Sequence, residues 1–237
     1  MSAPLPAVYL AAGEGRRLRP LTDDLPKAML ELGGVSLAER ALRALRSAGI
    51  EHVVAVTGHR AEALDALGEL ITQRRVNPRY AEYGNVYSLW CARDVVAEGC
   101  YIVNSDVLFE DAIARTLVDC AGSSILCASD HGVDDESMKA VCRDGRLVQL
   151  SKQAPVEGNP EYIGLTRVDP AHGPLLAHVL EDLVEDGKLD VYYEAALEEL
   201  ARREPVRAVT VDGLAWIEID DHDDLARARE EVLARVA

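Results

Sequence analysis

The chain has 237 residues, 49% of them hydrophobic, which is enough to bury one substantial core as a single domain over 1–237. A formal net charge of −16 argues against a nucleic-acid partner or a membrane surface, because neutralising rows of phosphates needs a basic face. Five cysteines without Cys-x-x-Cys spacing suggest neither a disulfide framework nor a zinc site, and no apolar run approaches the ~18 residues of a membrane span.

In chain order, Val8 to Ala12 reads as a strand buried on both faces, emptying into a loop that runs Gly13-Glu14-Gly15-Arg16-Arg17-Leu18-Arg19-Pro20-Leu21-Thr22 and on to Pro26-Lys27. Ser36 is a candidate N-cap for a helix through Leu45, His52 to Gly58 a second strand and Ala61 to Leu70 a second helix. A short strand near Arg74 to Arg79 precedes an aromatic stretch, Tyr80 to Leu89, in which Asn85 reads as the N-cap of the next helix. Cys100 to Asp106 is a third strand ending in a carboxylate, Phe109 to Cys120 a helix and Ser124 to Ser129 a fourth strand.

From about Asp130 the pattern turns β-rich, with a hairpin of Met138 to Cys142 and Leu147 to Ser151 about Asp144-Gly145, then a strand from Tyr162 to Val168. Helices at Pro174 to Glu185 and Tyr193 to Arg203, strands at Val206 to Val211 and Ala215 to Asp220, and a helix from Asp223 to Val236 complete the chain. The expected fold class is α/β: a doubly wound, mostly parallel, Rossmann-like sheet with a small β-rich insertion over one edge.

The loop after the first strand has the composition of a polyphosphate site: glycines let backbone N–H groups approach an anion, and arginines and a lysine supply charge. It fits neither a dinucleotide fingerprint, with Leu18 where the third glycine would stand, nor a P-loop, with Arg16 and Arg17 where Gly-Lys-Ser/Thr would stand. Ligands of open parallel sheets bind beyond the carboxyl ends of the strands, so Gly13 to Arg17, Thr57-Gly58 and Asp106 are expected around one crevice. Asp106 alone reads equally as a turn-capping residue or a metal ligand; beside a phosphate loop it suits Mg2+, which is held by few carboxylates plus substrate phosphates. Strand periodicity puts Glu218 and Asp220 on one face of the last strand, although Asp220 or Asp221 could equally cap the closing helix.

Over its full length the chain resembles the sugar-phosphate nucleotidyltransferases, and most closely the branch around phosphocholine cytidylyltransferase. The residues that carry the resemblance are the opening run Leu10 to Lys27, Tyr80-x-x-Tyr83-x-Asn85-x-Tyr87-Ser88-Leu89, the strand ending in Asp106, Leu150-Ser151-Lys152, Tyr162-Ile163-Gly164, Tyr192-Tyr193-Glu194 and Trp216-x-Glu218-Ile219-Asp220. The resemblance implies catalytic roles for Arg17, on the triphosphate, and Lys27, on the α-phosphate or the acceptor phosphate. It implies a nucleotide site of Leu10, Ala11, Ala12, Gly13, Gly15, Arg16, Thr57, Gly58, Asn85 and Ser88, and an acceptor site of Tyr87, Lys139, Lys152, Tyr193 and Glu194. The magnesium ligands it implies are Asp106 and Asp220, with Glu218 nearby.

Two departures bear on the acceptor. Where sugar-phosphate members have Glu-Lys-Pro, this chain reads Ser151-Lys152-Gln153, which puts a sugar in doubt; and Ser137 stands where a tryptophan for a quaternary ammonium is expected, with Lys139 added nearby. The implied reaction transfers a nucleoside monophosphate, CMP from CTP being favoured, to a phosphate- or phosphonate-bearing small molecule. A sugar-1-phosphate transferase using UTP, dTTP or GTP and a non-catalytic nucleotide-sensing homologue are the alternatives. The first strand comes too soon for a signal peptide, so a cytoplasmic location is expected, and a homodimer is compatible with the sequence.

Overall fold

A computed structural model describes residues 4–130 and 132–236. The first half of the chain runs β1 (Ala7–Ala11), β2 (Glu31–Leu32), β3 (Val35–Ser36), α1 (Leu37–Ser47), β4 (Val53–Thr57), β5 (Gln73–Val76), α2 (Asn85–Trp90), α3 (Arg93–Ala97), β6 (Cys100–Asn104), β7 (Val107–Phe109) and α4 (Asp111–Asp119). The second half runs β8 (Ser123–Ala128), β9 (Lys139–Arg143), β10 (Arg146–Ser151), β11 (Glu161–Val168), α5 (Gly173–Glu185), α6 (Glu194–Arg203), β12 (Val206–Thr210), β13 (Trp216–Glu218), α7 (His222–Arg227) and α8 (Leu233–Val236).

Among the described residues, nine strands form one sheet in the order β5-β4-β1-β6-β11-β8-β12-β10-β9. Strands β5, β4, β1 and β6 are parallel, and the near-continuous burial of β1 and β4 reflects helices covering both faces. The α/β class is as expected, but the sheet is mixed: β11 runs antiparallel between β6 and β8, and the β9–β10 hairpin extends the sheet beyond β12. The expected hairpin turn is present, with Asp144 and Gly145 both at positive φ. One apolar cluster packs α1 and α4 on one face of the sheet, and a second packs α2, α5 and α6 on the other.

Several local expectations change in ways that matter for the site. Residues Ala61–Leu70 form 3-10 turns broken at Gly68 in place of an α-helix. Phe109 belongs to β7, because it pairs with Trp216 of β13, so α4 begins only at Asp111. β6 stops at Asn104 and leaves Asp106 in the turn that follows. Gly84, not Asn85, precedes α2; the Asn85 side chain instead accepts a hydrogen bond from the Tyr193 backbone N–H at 2.7 Å. A π-helical turn at Ala228–Val232 separates α7 from α8. Ser36 does cap α1, accepting from the Glu39 N–H at 3.1 Å.

Gly164 of β11 has φ +78°, and a Cβ there would lie 2.7 Å from the Asn104 side chain at the end of β6. A methyl group must therefore adopt a left-handed backbone and displace Asn104 together. Gly164→Ala is expected to cost about 2–3 kcal/mol in denaturant unfolding, more than a surface glycine replacement costs.

Candidate active site

Strand β1 lies between β4 and β6 with Leu10 level with Val56 and Asn104, so the segments leaving all three strands emerge side by side. The loop after β1 turns at Gly15, φ +62°, where a Cβ would meet Lys27 Cβ at 3.0 Å and Thr22 at 3.1 Å. Thr22 Oγ1 donates to the Gly15 carbonyl at 2.8 Å, and the aliphatic stem of Lys27 packs against this turn. Gly58 meets the same loop closely: His59 N–H donates to the Ala12 carbonyl at 3.1 Å, and a Cβ on Gly58 would stand 2.8 Å from that oxygen.

The carboxylates come from the middle and the C-terminal part of the sequence and are joined by a two-stranded ribbon. β7 pairs antiparallel with β13, matching Val107 to Glu218, and the Ile219 N–H extends the pairing to the Asp106 carbonyl at 2.9 Å. One oxygen from each of Asp106, Glu218 and Asp220 then lies within 4.8 Å of the others. Asp221, not Asp220, caps the closing helix, in a reciprocal capping box with Asp224. The Asp220 carboxylate is left to face Lys27 and Arg17.

Lys27 Nζ donates to Asp106 Oδ2 at 3.0 Å and to Asp220 Oδ1 at 2.6 Å, and Arg17 reaches Asp220 Oδ2 at 2.5 Å. Burial opposes the charge on Lys27, but Asp106, Asp220 and Glu218 outweigh it and raise its pKa. Burial raises the pKa of Asp220, and Lys27 and Arg17 overcome this and lower it. Glu218 moves the other way: burial first, then Asp106 and Asp220, push its pKa well above the ordinary value. Asp106 Oδ1 is buried with no hydrogen-bond partner. This all-oxygen donor set, with one acceptor still free, fits a hard divalent cation.

The other expected site residues divide. Leu10, Ala11 and Ala12 are buried, so only their backbone is available to a ligand, while Gly13 has open space around its Cα. Arg16 is exposed and pairs with Glu14. Thr57 is buried and donates to the Arg75 carbonyl, and Ser88 is buried and accepts from the Asn77 amide, so both hydroxyls are engaged within the protein. Tyr87 stacks on Trp90 with ring centroids 5.0 Å apart.

Lys139 is corrected outright: it is 0% exposed and its Nζ donates to the Asp134 and Asp135 carbonyls at 2.9 and 3.1 Å, so it braces a loop and does not face an acceptor. Tyr193 is also fully buried, its hydroxyl bonded to Asn104 Oδ1 at 3.0 Å and to the Tyr162 hydroxyl at 2.8 Å, and so forms no open aromatic wall. Lys152 and Glu194, by contrast, both line a cavity of about 730 Å³. Burial raises the Glu194 pKa to about 7. Sequence reasoning missed Glu14, Asn77, Asn104 and Asp224; of these only Asp224, three residues after Asp221, carried a readable signal, as the third position of a capping box.

Residues 7–163 match the family model of the MobA-like NTP transferase domain. The chain belongs to that family. Its relatives include the choline-phosphate cytidylyltransferase of Streptococcus pneumoniae (strain ATCC BAA-255 / R6), 25% identical over 96% of this chain and 97% of that protein. The CTP:phosphoglutamine cytidylyltransferase of Campylobacter jejuni is 27% identical over 92% and 97%. The chain spans about half, 51%, of the bifunctional IPC transferase and DIPP synthase of Aquifex aeolicus, to which it is 27% identical. Among solved structures, the CTP:phosphocholine cytidylyltransferase of Streptococcus pneumoniae superposes with a TM-score of 0.85 at 23% identity, covering 96% of this chain and 99% of that one. The transferase fold is thus shared essentially end to end. No helix among the described residues is long and apolar enough to cross a membrane.

The electrostatics of the carboxylate cluster are testable without substrate. As pH rises past 4.5, unfolded Glu218 ionises while folded Glu218 keeps its proton, so the unfolded state binds fewer protons and stability falls toward the folded pKa. Glu218→Gln removes this term. The Tm difference between Glu218→Gln and the parent is expected to grow in favour of the variant as pH rises above about 4.5, read by thermal unfolding in EDTA.

Proposed function

We propose that the chain transfers CMP from CTP to a phosphate- or phosphonate-bearing small molecule and releases pyrophosphate. The observation that carries this reading is the meeting of Lys27 and Arg17 with Asp106, Glu218 and Asp220 beside the Gly13 to Gly15 loop. Near-full-length similarity to proteins named for CTP and for phosphorylated acceptors supports the choice of donor and acceptor class. A silent nucleotide-sensing role is disfavoured because the cations and carboxylates of the site are all retained together.

In this reading an oxygen of the acceptor phosphate attacks the α-phosphorus of CTP, a new P–O bond forms, and the bond from the α-phosphorus to the bridging oxygen breaks. The electron pair leaves with pyrophosphate. The nucleophile is already anionic, so no general base is needed, and the protein's work is positioning and charge neutralisation. Lys27, held cationic by its carboxylate neighbours, stands where charge builds on the α-phosphate. Arg17 and the backbone amides of Gly13 to Gly15 hold the departing β- and γ-phosphates. Asp106, Glu218 and Asp220 are the residues that would hold Mg2+, whose bound charge would offset that of the converging phosphates.

Lys27→Ala and Asp106→Ala are each expected to lower magnesium-dependent pyrophosphate release from CTP by about 10²-fold or more while circular dichroism stays that of the parent. EDTA should abolish the activity and added magnesium restore it. Turnover within a few-fold of the parent in either variant would remove that residue from the site; equal rates with all four nucleoside triphosphates would remove the preference for CTP.

A further inference from the structure

We propose that Tyr9 is a positioning residue for the carboxylate cluster, its hydroxyl holding Asp106 Oδ1 so that the rest of the Asp106 carboxylate is presented to a divalent cation. This deepens the nucleotidyl-transfer reading and rests on it for the role of Asp106.

Tyr9 lies at the middle of β1, level with Ala55 of β4 and Val103 of β6, and is 0% exposed. Strand periodicity puts it on the same face as Ala7 and Ala11, in the core cluster packed beneath α1 and α4. Those alanines leave room for a phenol ring. The same cluster takes in Val107 and Phe109 of β7 and Trp216 of β13, so the ring shares its packing with the ribbon that brings Glu218 to Asp106.

Packing accounts for the ring but not for its oxygen. The Tyr9 hydroxyl is buried with no hydrogen-bond partner, and a phenylalanine would fill the same space without enclosing a polar atom. The buried tyrosines Tyr162 and Tyr193, by contrast, bond each other through their hydroxyls. The complementary deficit is at Asp106, whose Oδ1 is buried and lacks a donor. Both atoms are enclosed by protein, one a donor and the other an acceptor. The charge of Asp106 also acts on Tyr9: burial first, and then Asp106, raise the pKa of the hydroxyl, which therefore keeps its proton to donate.

The two aspartates of the cluster differ in how they are held. Asp220 has both oxygens fixed, Oδ1 by Lys27 and Oδ2 by Arg17. Asp106 has its backbone carbonyl tied to the Ile219 N–H and its Oδ2 to Lys27, which leaves the carboxylate plane to be set from Oδ1. A carboxylate has about four lone-pair sites, so Asp106 can serve a cation and a second protein donor together. Ligating carboxylates are ordinarily steadied by such a donor, and losing one weakens metal binding by about 10–100-fold.

Mn2+ binding to the full chain, read by electron paramagnetic resonance of the free ion, tests this. Tyr9→Phe removes the hydroxyl alone and is expected to weaken Mn2+ binding about tenfold or more while circular dichroism stays that of the parent. Tyr101→Phe, which removes a hydroxyl facing Arg167 from the same core cluster, is expected to leave the affinity within about twofold of the parent. Equal affinity in Tyr9→Phe and the parent, equal weakening in both variants, or no Mn2+ binding by the parent overturns the proposal. If Tyr9→Phe does not fold, the carbon-13 resonance of Tyr9 Cζ in the parent decides it: a shift on adding Mg2+ supports the bond to Asp106, and an unmoved resonance overturns it. Failure of the nucleotidyl-transfer reading would look different: Tyr9→Phe would still weaken Mn2+ binding while no nucleoside triphosphate yielded pyrophosphate.

Discussion

The site depends on a single crowding of charge, in which Lys27 bonds two carboxylates at once while a third, Glu218, sits within the same few ångströms. Three acids so close cannot all be ionised cheaply away from water, and the protein resolves the conflict unequally. Lys27 and Arg17 hold the Asp220 pKa below its ordinary value, while burial and the two neighbouring aspartates raise that of Glu218. Nothing in the hydrophobic packing requires this arrangement. It is an electrostatic cost that a bound cation would relieve, and perturbed carboxylates crowded in a cleft are the pattern on which the proposed site rests.

The fold exists around that point in a direct sense. Parallel pairing of β1 with β4 and β6 brings the glycine loop, Gly58 and the turn bearing Asp106 to one sheet edge. The β7–β13 ribbon then carries Glu218 and Asp220 across more than a hundred residues of sequence to meet Asp106. Because the ribbon's register matches Val107 with Glu218, a slip of one residue would turn Glu218 away from Asp106. The capping box at Asp221 and Asp224 anchors the start of α7, so the direction of the Asp220 side chain is set from both sides.

Much of this was legible in the sequence, for identifiable reasons. The alternating strands and helices of the first half, the glycine loop and the Ser36 cap are local patterns, and local patterns are what periodicity and capping rules read. The choice between Asp220 and Asp221 as helix cap was not legible, because adjacent aspartates present the same signal and only the ribbon geometry separates them. The mixed direction of β11 was hidden too, since a buried strand reads alike in either direction. Asn85 misled for a related reason: its preference for helix starts is real, but its carbonyl was taken by the Tyr193 backbone, 108 residues away.

The two lysines expected at the acceptor end show most clearly where residue type stops being informative. Lys139 and Lys152 are equally basic in the sequence, thirteen positions apart, one opening β9 and the other just past the end of β10. Lys139 is wholly enclosed, because two backbone carbonyls of its own loop claim the ammonium; Lys152, beyond the end of β10, retains the cavity. The anionic side of the same region has the opposite history. Glu194 was expected at the acceptor site from the resemblance, with nothing in its residue type to set it apart from the other forty Asp and Glu residues; in the structure it is buried and its Oε2 has no hydrogen-bond partner. Of the expected charged residues, the structure thus leaves one lysine and one carboxylate at the cavity where the residue types had suggested two lysines, and only the enclosing backbone carbonyls, invisible in the sequence, decide which lysine is withdrawn.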